Sequence, residues 1–72
     1  SDELTSQERI QIGFLLAQTS GLASAALEYL SRDDLSRFID AIEALSKAIS
    51  GLGLAFKEMN QRRDRQTNMD LN

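Results

Sequence analysis

Of the eleven Asp and Glu residues, Asp33, Asp34, Asp40 and Glu43 are the carboxylates placed so that they could form an acid–base pair. Paired carboxylates serve general acid–base chemistry when their surroundings push their pKa values apart. Asp33 and Asp34 instead fall at an expected helix start, and Asp40 and Glu43 on the outer side of that helix, where a carboxylate is simply solvated. With no His and no Cys in 72 residues, the commonest general base, the thiol nucleophile and the commonest zinc ligands are all missing. A di-metal centre of the helical-bundle kind needs inward Glu and His, whereas the inward positions here are apolar. The segment "SGLGLAF" lacks the lysine and the preceding strand of a phosphate-binding loop. The expectation is a protein that is not an enzyme and holds no cofactor or metal.

The second group with chemical potential is basic. "KEMNQRRDR" contains Lys57, Arg62, Arg63 and Arg65, half of the eight Lys and Arg residues, and these are the candidate phosphate contacts. Cations near a helix C-terminus also complement its dipole without any ligand. Glu58 and Asp64 dilute the cluster, no aromatic is interleaved for base stacking, and the net charge is −3. Nucleic acid is therefore a secondary reading rather than the expected partner. Tyr29 is expected at a core edge with its hydroxyl in water.

These groups are placed by two predicted helices. No Pro and four Gly in a Leu-, Ala- and Ser-rich chain indicate an all-α fold. "TSQE" at Thr5–Glu8 is a capping box, in which hydroxyl and carboxylate each satisfy the other residue's backbone N–H. A first helix is predicted over about 6–30, with Ile12, Leu15, Leu16, Leu22, Tyr29 and Leu30 at helical spacing. "LSRDDL" then offers Ser31 as a new N-cap, Leu30 and Leu35 as a hydrophobic staple, and acidic residues suited to a helix start. A turn is predicted at about 31–33 and a second helix over about 34–62.

A single long helix is the alternative at this junction, and the phase of the pattern opposes it. With Ile12, Thr19 and Ala26 at heptad position a, a continuous helix puts the next a at residue 33, but the second helix places it at Leu35. That slip turns the apolar stripe by roughly 200°, so only a hairpin brings the two stripes together. In the second helix Leu35, Ile42, Ile49 and Phe56 occupy a, and Phe38, Leu45, Leu52 and Met59 occupy d. This phase runs unbroken across Gly51 and Gly53, which predicts a continuous helix, although each glycine costs up to ~1 kcal/mol relative to Ala. A loop there, leading to a short third helix in a three-helix bundle, is the alternative. Small residues (Gly13, Ala17, Gly21 and Ala25 in the first helix, Ala41, Ala48, Gly53 and Ala55 in the second) are expected to let backbones approach closely. Past Gln61 the pattern fades, and residues 63–72 are expected to form a flexible polar tail.

A chain of this length buries only about 60% of its unfolded surface and has no disulfide or metal to staple it. Oligomerisation is the expected staple. The first helix carries apolar residues on more than one side, too many for one antiparallel neighbour, so surplus apolar surface is expected to mark an interaction site. A homodimer closing into a four-helix bundle is expected, together with a partner protein that meets Phe14 and Leu16. The function expected is a small helical interaction module of adaptor, chaperone or inhibitor type, with a subunit of a larger helical assembly as the alternative. "IQIGFLLAQTSGLASAAL", Ile10–Leu27, is uncharged and nearly long enough to span a membrane. Its Gln, Thr and Ser residues argue against insertion. No basic segment leads into an apolar run of secretory type, and with no Cys the expected location is cytoplasmic.

Overall fold

The computed structural model describes residues 3–71, with side chains through residue 65. It is an antiparallel α-hairpin: α1, Ser6–Ser31, packs against the longer α2, Leu35–Leu71, with no strand among the described residues. The chain is correspondingly elongated, 59 × 18 × 12 Å. Helix α2 passes through Gly51 and Gly53 without a break, so the three-helix alternative is set aside.

Helix α1 begins as its sequence dictates. The Thr5 hydroxyl accepts from the Glu8 backbone N–H at 3.1 Å, and the Glu8 carboxylate accepts from the Thr5 N–H at 2.9 Å. The other end differs from expectation. The turn comprises residues 32–34, and Asp34 rather than Ser31 caps α2: its carboxylate accepts from the Arg37 N–H at 3.3 Å. Ser31 closes α1 instead, its hydroxyl donating to the Glu28 carbonyl at 2.7 Å. A backbone motif decides the competition. The Asp33 N–H donates to the Leu30 carbonyl at 3.1 Å and the Asp34 N–H to the Tyr29 carbonyl at 2.9 Å, the paired bonds of a Schellman C-cap. The motif needs a left-handed residue, and Asp33 supplies it at φ 56°.

That position normally belongs to glycine, because a Cβ there crowds the following carbonyl. Asp33→Gly is therefore expected to raise hairpin stability by a few tenths to about 1 kcal/mol, read as a higher urea midpoint. Asp33→Ala should lower it.

The tail differs as well. Residues 63–71, expected to fray, continue α2 as helix; Asn72 lies outside the described residues. No Gly or Pro interrupts the stretch, and once a helix exists each further residue adds a hydrogen bond without a new nucleation cost. Fading apolar character removes a reason for packing, not the backbone's reason to stay helical.

The seam of α1 is the predicted one: Ile12, Leu15, Thr19, Leu22, Ala26 and Tyr29 are buried or half-buried. The seam of α2 is rotated. Phe38, Leu45, Leu52 and Met59 face α1 as expected, but the column beside them is Ala41, Ala48 and Ala55, not the bulky a column. Helix axes approach to about 8–10 Å only where contact side chains allow it, and the alanines do. Leu35, Ile42, Ile49 and Phe56 are consequently left in solvent. The core that results is thin. Ile12, Ala26, Ala41 and Met59 are the buried hydrophobics, two of them alanines, and no described side chain is completely buried.

Candidate interaction surface

The open end of the hairpin is tied by a group the sequence reading assigned to the tail. The Arg63 guanidinium donates to the Glu3 carbonyl at 3.1 Å and lies 3.4 Å from the Glu8 carboxylate. Glu8 thus joins the capping box to the far helix. Its carboxyl is held below the ordinary value of 4.5, first by the bond from the Thr5 N–H, then by the Thr5 side chain and Arg63, against the opposing effect of desolvation. A carboxyl lowered in the folded state stabilises the fold fully above its unfolded pKa, and that stabilisation is lost as pH falls through the lower folded value. Wild type should therefore lose melting temperature as pH falls below 4.5. Glu8→Gln, which still completes a capping box, should lose less over the same interval in a thermal melt series. An unchanged difference between pH 7 and about pH 3 would show that other carboxylates carry the effect.

Arg63 lies at the end of the seam because a straight helix drifts about 20° per heptad relative to a seven-residue repeat. Over the length of α2 that drift carries the contact line from the alanine column toward the column of Phe56. A basic residue in phase with Leu35 to Phe56 was the available signal.

The hairpin has two unlike broad sides. On one, Leu30, Leu35 and Phe38 wall a cleft beside the turn that Asp33 and Asp34 close, and Leu4, Gly53 and Phe56 line another toward the open end, edged by Lys57 and Arg63. Helical phase puts the column Leu16, Ala23 and Leu30 of α1 on this side, next to the a column of α2. Leu27 and Ile39 extend its outer edges. These large side chains are exposed, including Leu16, Leu30, Leu35, Ile42, Ile49 and Phe56. No charged residue occupies this side between Gly13 and Leu30 on α1 or between Leu35 and Phe56 on α2. On the opposite side, Leu22, Ala25 and Tyr29 face Arg37, Asp40 and Ala41, and Lys47 and Glu58 continue that charged face. Tyr29 is half-buried there.

The other predicted groups separate. Phe14 and Leu16, paired as partner contacts in the sequence, lie on different sides: Leu16 joins the uncharged face, while Phe14, 72% exposed, points away from both helices' seam with Ile10, 73% exposed, near it. The expected close-packing column of α1 does not form within the hairpin. Gly13, Ala17 and Gly21 are exposed, and a Cβ added at Gly13, Gly21 or Gly53 meets only open space. Residues four apart turn by about 40° per step, so the column winds off any single face. Ala25 alone of the four reaches the edge of the seam.

The basic stretch is not one patch. Lys57, Arg62 and Arg65 are exposed in different directions, and Arg63 is engaged with Glu8 and Glu3. Of the candidate carboxylates, Asp34 caps α2 and lies 3.6 Å from Arg37, while Asp33, Asp40 and Glu43 are exposed. Among the described residues no group of ligating side chains could hold a metal ion. Helix α1 is long and apolar enough, by length and composition, to cross a membrane, but one of its stripes is taken by α2, and Thr19 returns its hydroxyl to the Leu15 carbonyl at 2.9 Å.

Compared with known proteins, the chain matches no family model, no curated protein and no solved structure.

Proposed function

We propose that this chain is a small, non-enzymatic helical module that works in the cytoplasm by self-associating and binding another protein, as an adaptor, chaperone or inhibitor does. The observation that carries the reading is the uncharged, exposed apolar side of a hairpin whose own core is thin. Contiguous apolar surface of this kind marks interaction sites, and amphipathic helices recognise partners by laying such stripes into grooves. The chemistry points the same way: Glu8 and Asp34 are engaged as helix caps, Asp33, Asp40 and Glu43 are exposed, and the chain has neither His nor Cys. Phe14 and Ile10 offer a second, smaller apolar group on the outside of α1, the group proposed to meet the partner protein.

A photo-crosslinking side chain placed at position 14 in the native cell tests this. The expected result is a discrete adduct with one heavier protein, competed by excess unlabelled chain and missing when the crosslinker sits at the charged outer position 43. Equal, non-saturable labelling from both positions, or none from position 14, would overturn the reading.

A further inference from the structure

We infer that the uncharged side of the hairpin is covered by a second copy of this chain, two hairpins closing face to face into a four-helix bundle that leaves Phe14 outside. The inference rests on the proposed interaction function and specifies the surface and occupant of its self-association.

Area supports it first. A compact monomer of 8.0 kDa exposes roughly 4,450 Å² by the surface–mass relation, whereas this chain exposes 5870 Å². The surplus, about 1,400 Å² per chain, includes the part of α2 that runs past the shorter α1, and is of the order that each member of an obligate dimer buries.

Charge supports it second. A two-fold dimer places a patch against itself, so the patch must be self-complementary. A face carrying net charge would repel its own copy, and one with a specific charge pattern would demand a matching partner. The middle of this face carries neither: its charges sit at the two ends, Asp33 and Asp34 beside the turn and Lys57 and Arg63 toward the open end, while Arg37, Asp40, Lys47 and Glu58 lie on the other side.

Shape supports it third. The α1 half of the face is low, with Ala23 between Leu16 and Leu30, and the α2 half is high, with Ile42, Ile49 and Phe56. Rotation by a two-fold axis along the hairpin sets the high half of each copy over the low half of the other. Core packing of this type alternates large and small side chains, and it would turn a thin two-helix seam into a four-helix core.

The test is sedimentation equilibrium of the full chain from about 1 to 100 µM, with circular dichroism on the same samples, for wild type, Ile42→Glu and Phe14→Glu. Wild type and Phe14→Glu should sediment at twice 8.0 kDa, and Ile42→Glu should weaken association at least 100-fold. Ile42 is already exposed in the single hairpin, so if Ile42→Glu also loses helix, Ile42→Ala supplies the reading, with association weakened about tenfold. A helical wild-type monomer throughout the range, growth beyond a dimer, or dissociation by Phe14→Glu but not by Ile42→Glu would each overturn the inference. A monomer that still yields the position 14 adduct sinks the bundle and self-association and spares the binding of a partner protein. A dimer without that adduct does the reverse.

Discussion

Met59→Ala should cost the hairpin about 2–5 kcal/mol, the usual range for truncating a buried Met. Met59 is the least exposed residue of the core, at 3%, and it lies with Leu4, Glu8 and Gln11 at the open end of the hairpin. The other supports at that end are half-buried Leu4 and the polar tie from Arg63 to Glu8 and Glu3. The surrounding helices cannot easily collapse onto the space, because Ala55 and Ala48 already hold them close. A domain of this size is stabilised by roughly 4–11 kcal/mol in total, so the loss is a large share. At about 4–8 °C per kcal/mol, the thermal midpoint by circular dichroism should fall by at least ~8 °C. Leu54→Ala removes a larger exposed surface but almost no packing, and it should leave the midpoint nearly unchanged. Equal losses from both substitutions would mean that the seam does not lie where the structure places it.

The second large effect is expected from adding bulk rather than removing it. Ala26 is 4% exposed and faces Ala41 and Phe38 near the turn. The Schellman motif and the Asp34 cap fix the separation of the helices there, so the backbone has little freedom to yield. Ala26→Leu should therefore destabilise by about 1–3 kcal/mol through overpacking. Ala17→Leu, the identical change on the exposed side of α1, should stay within about 0.5 kcal/mol of wild type. Urea unfolding of the two variants side by side measures the difference. If Ala17→Leu proves the costlier, the small residues of α1 are packing against something other than α2.

Both predictions turn on the one place where the sequence misleads about packing. The capping box was legible because it is a local motif whose partners lie three residues apart. The seam of α1 was legible because one apolar stripe fits the heptad repeat. In α2 three neighbouring columns are apolar: the alanines, the column from Phe38 to Met59, and the column from Leu35 to Phe56. Either outer column can share a seam with the middle one, and the bulkier looked the better core. The structure gives α1 the alanines because close helix approach favours small side chains, and this frees the bulky column for another surface. Asp34 as cap and Asp33 in the left-handed region were hidden for a related reason. Residues 31 to 34 offer several capping side chains, and the choice depends on how α1 ends. Arg63 was hidden because its partners, Glu3 and Glu8, are nearly the whole chain away. Phe14 and Leu16 were both legible as surplus apolar groups, but only the position of α2 separates them.

The five isoleucines report on every environment the account distinguishes, so δ1-methyl NMR of the isoleucine-labelled full chain, with a soluble paramagnetic relaxation agent, is the most direct measurement. Ile12 lies in the hairpin core, Ile10 on the outside of α1, and Ile39, Ile42 and Ile49 on the uncharged face. If that face is an interaction surface occupied by a second copy, Ile42 and Ile49 should be shielded nearly as well as Ile12, while Ile10 broadens strongly. If Ile42 and Ile49 broaden like Ile10 at concentrations where the chain is fully helical, the face is open to water and the account is contradicted.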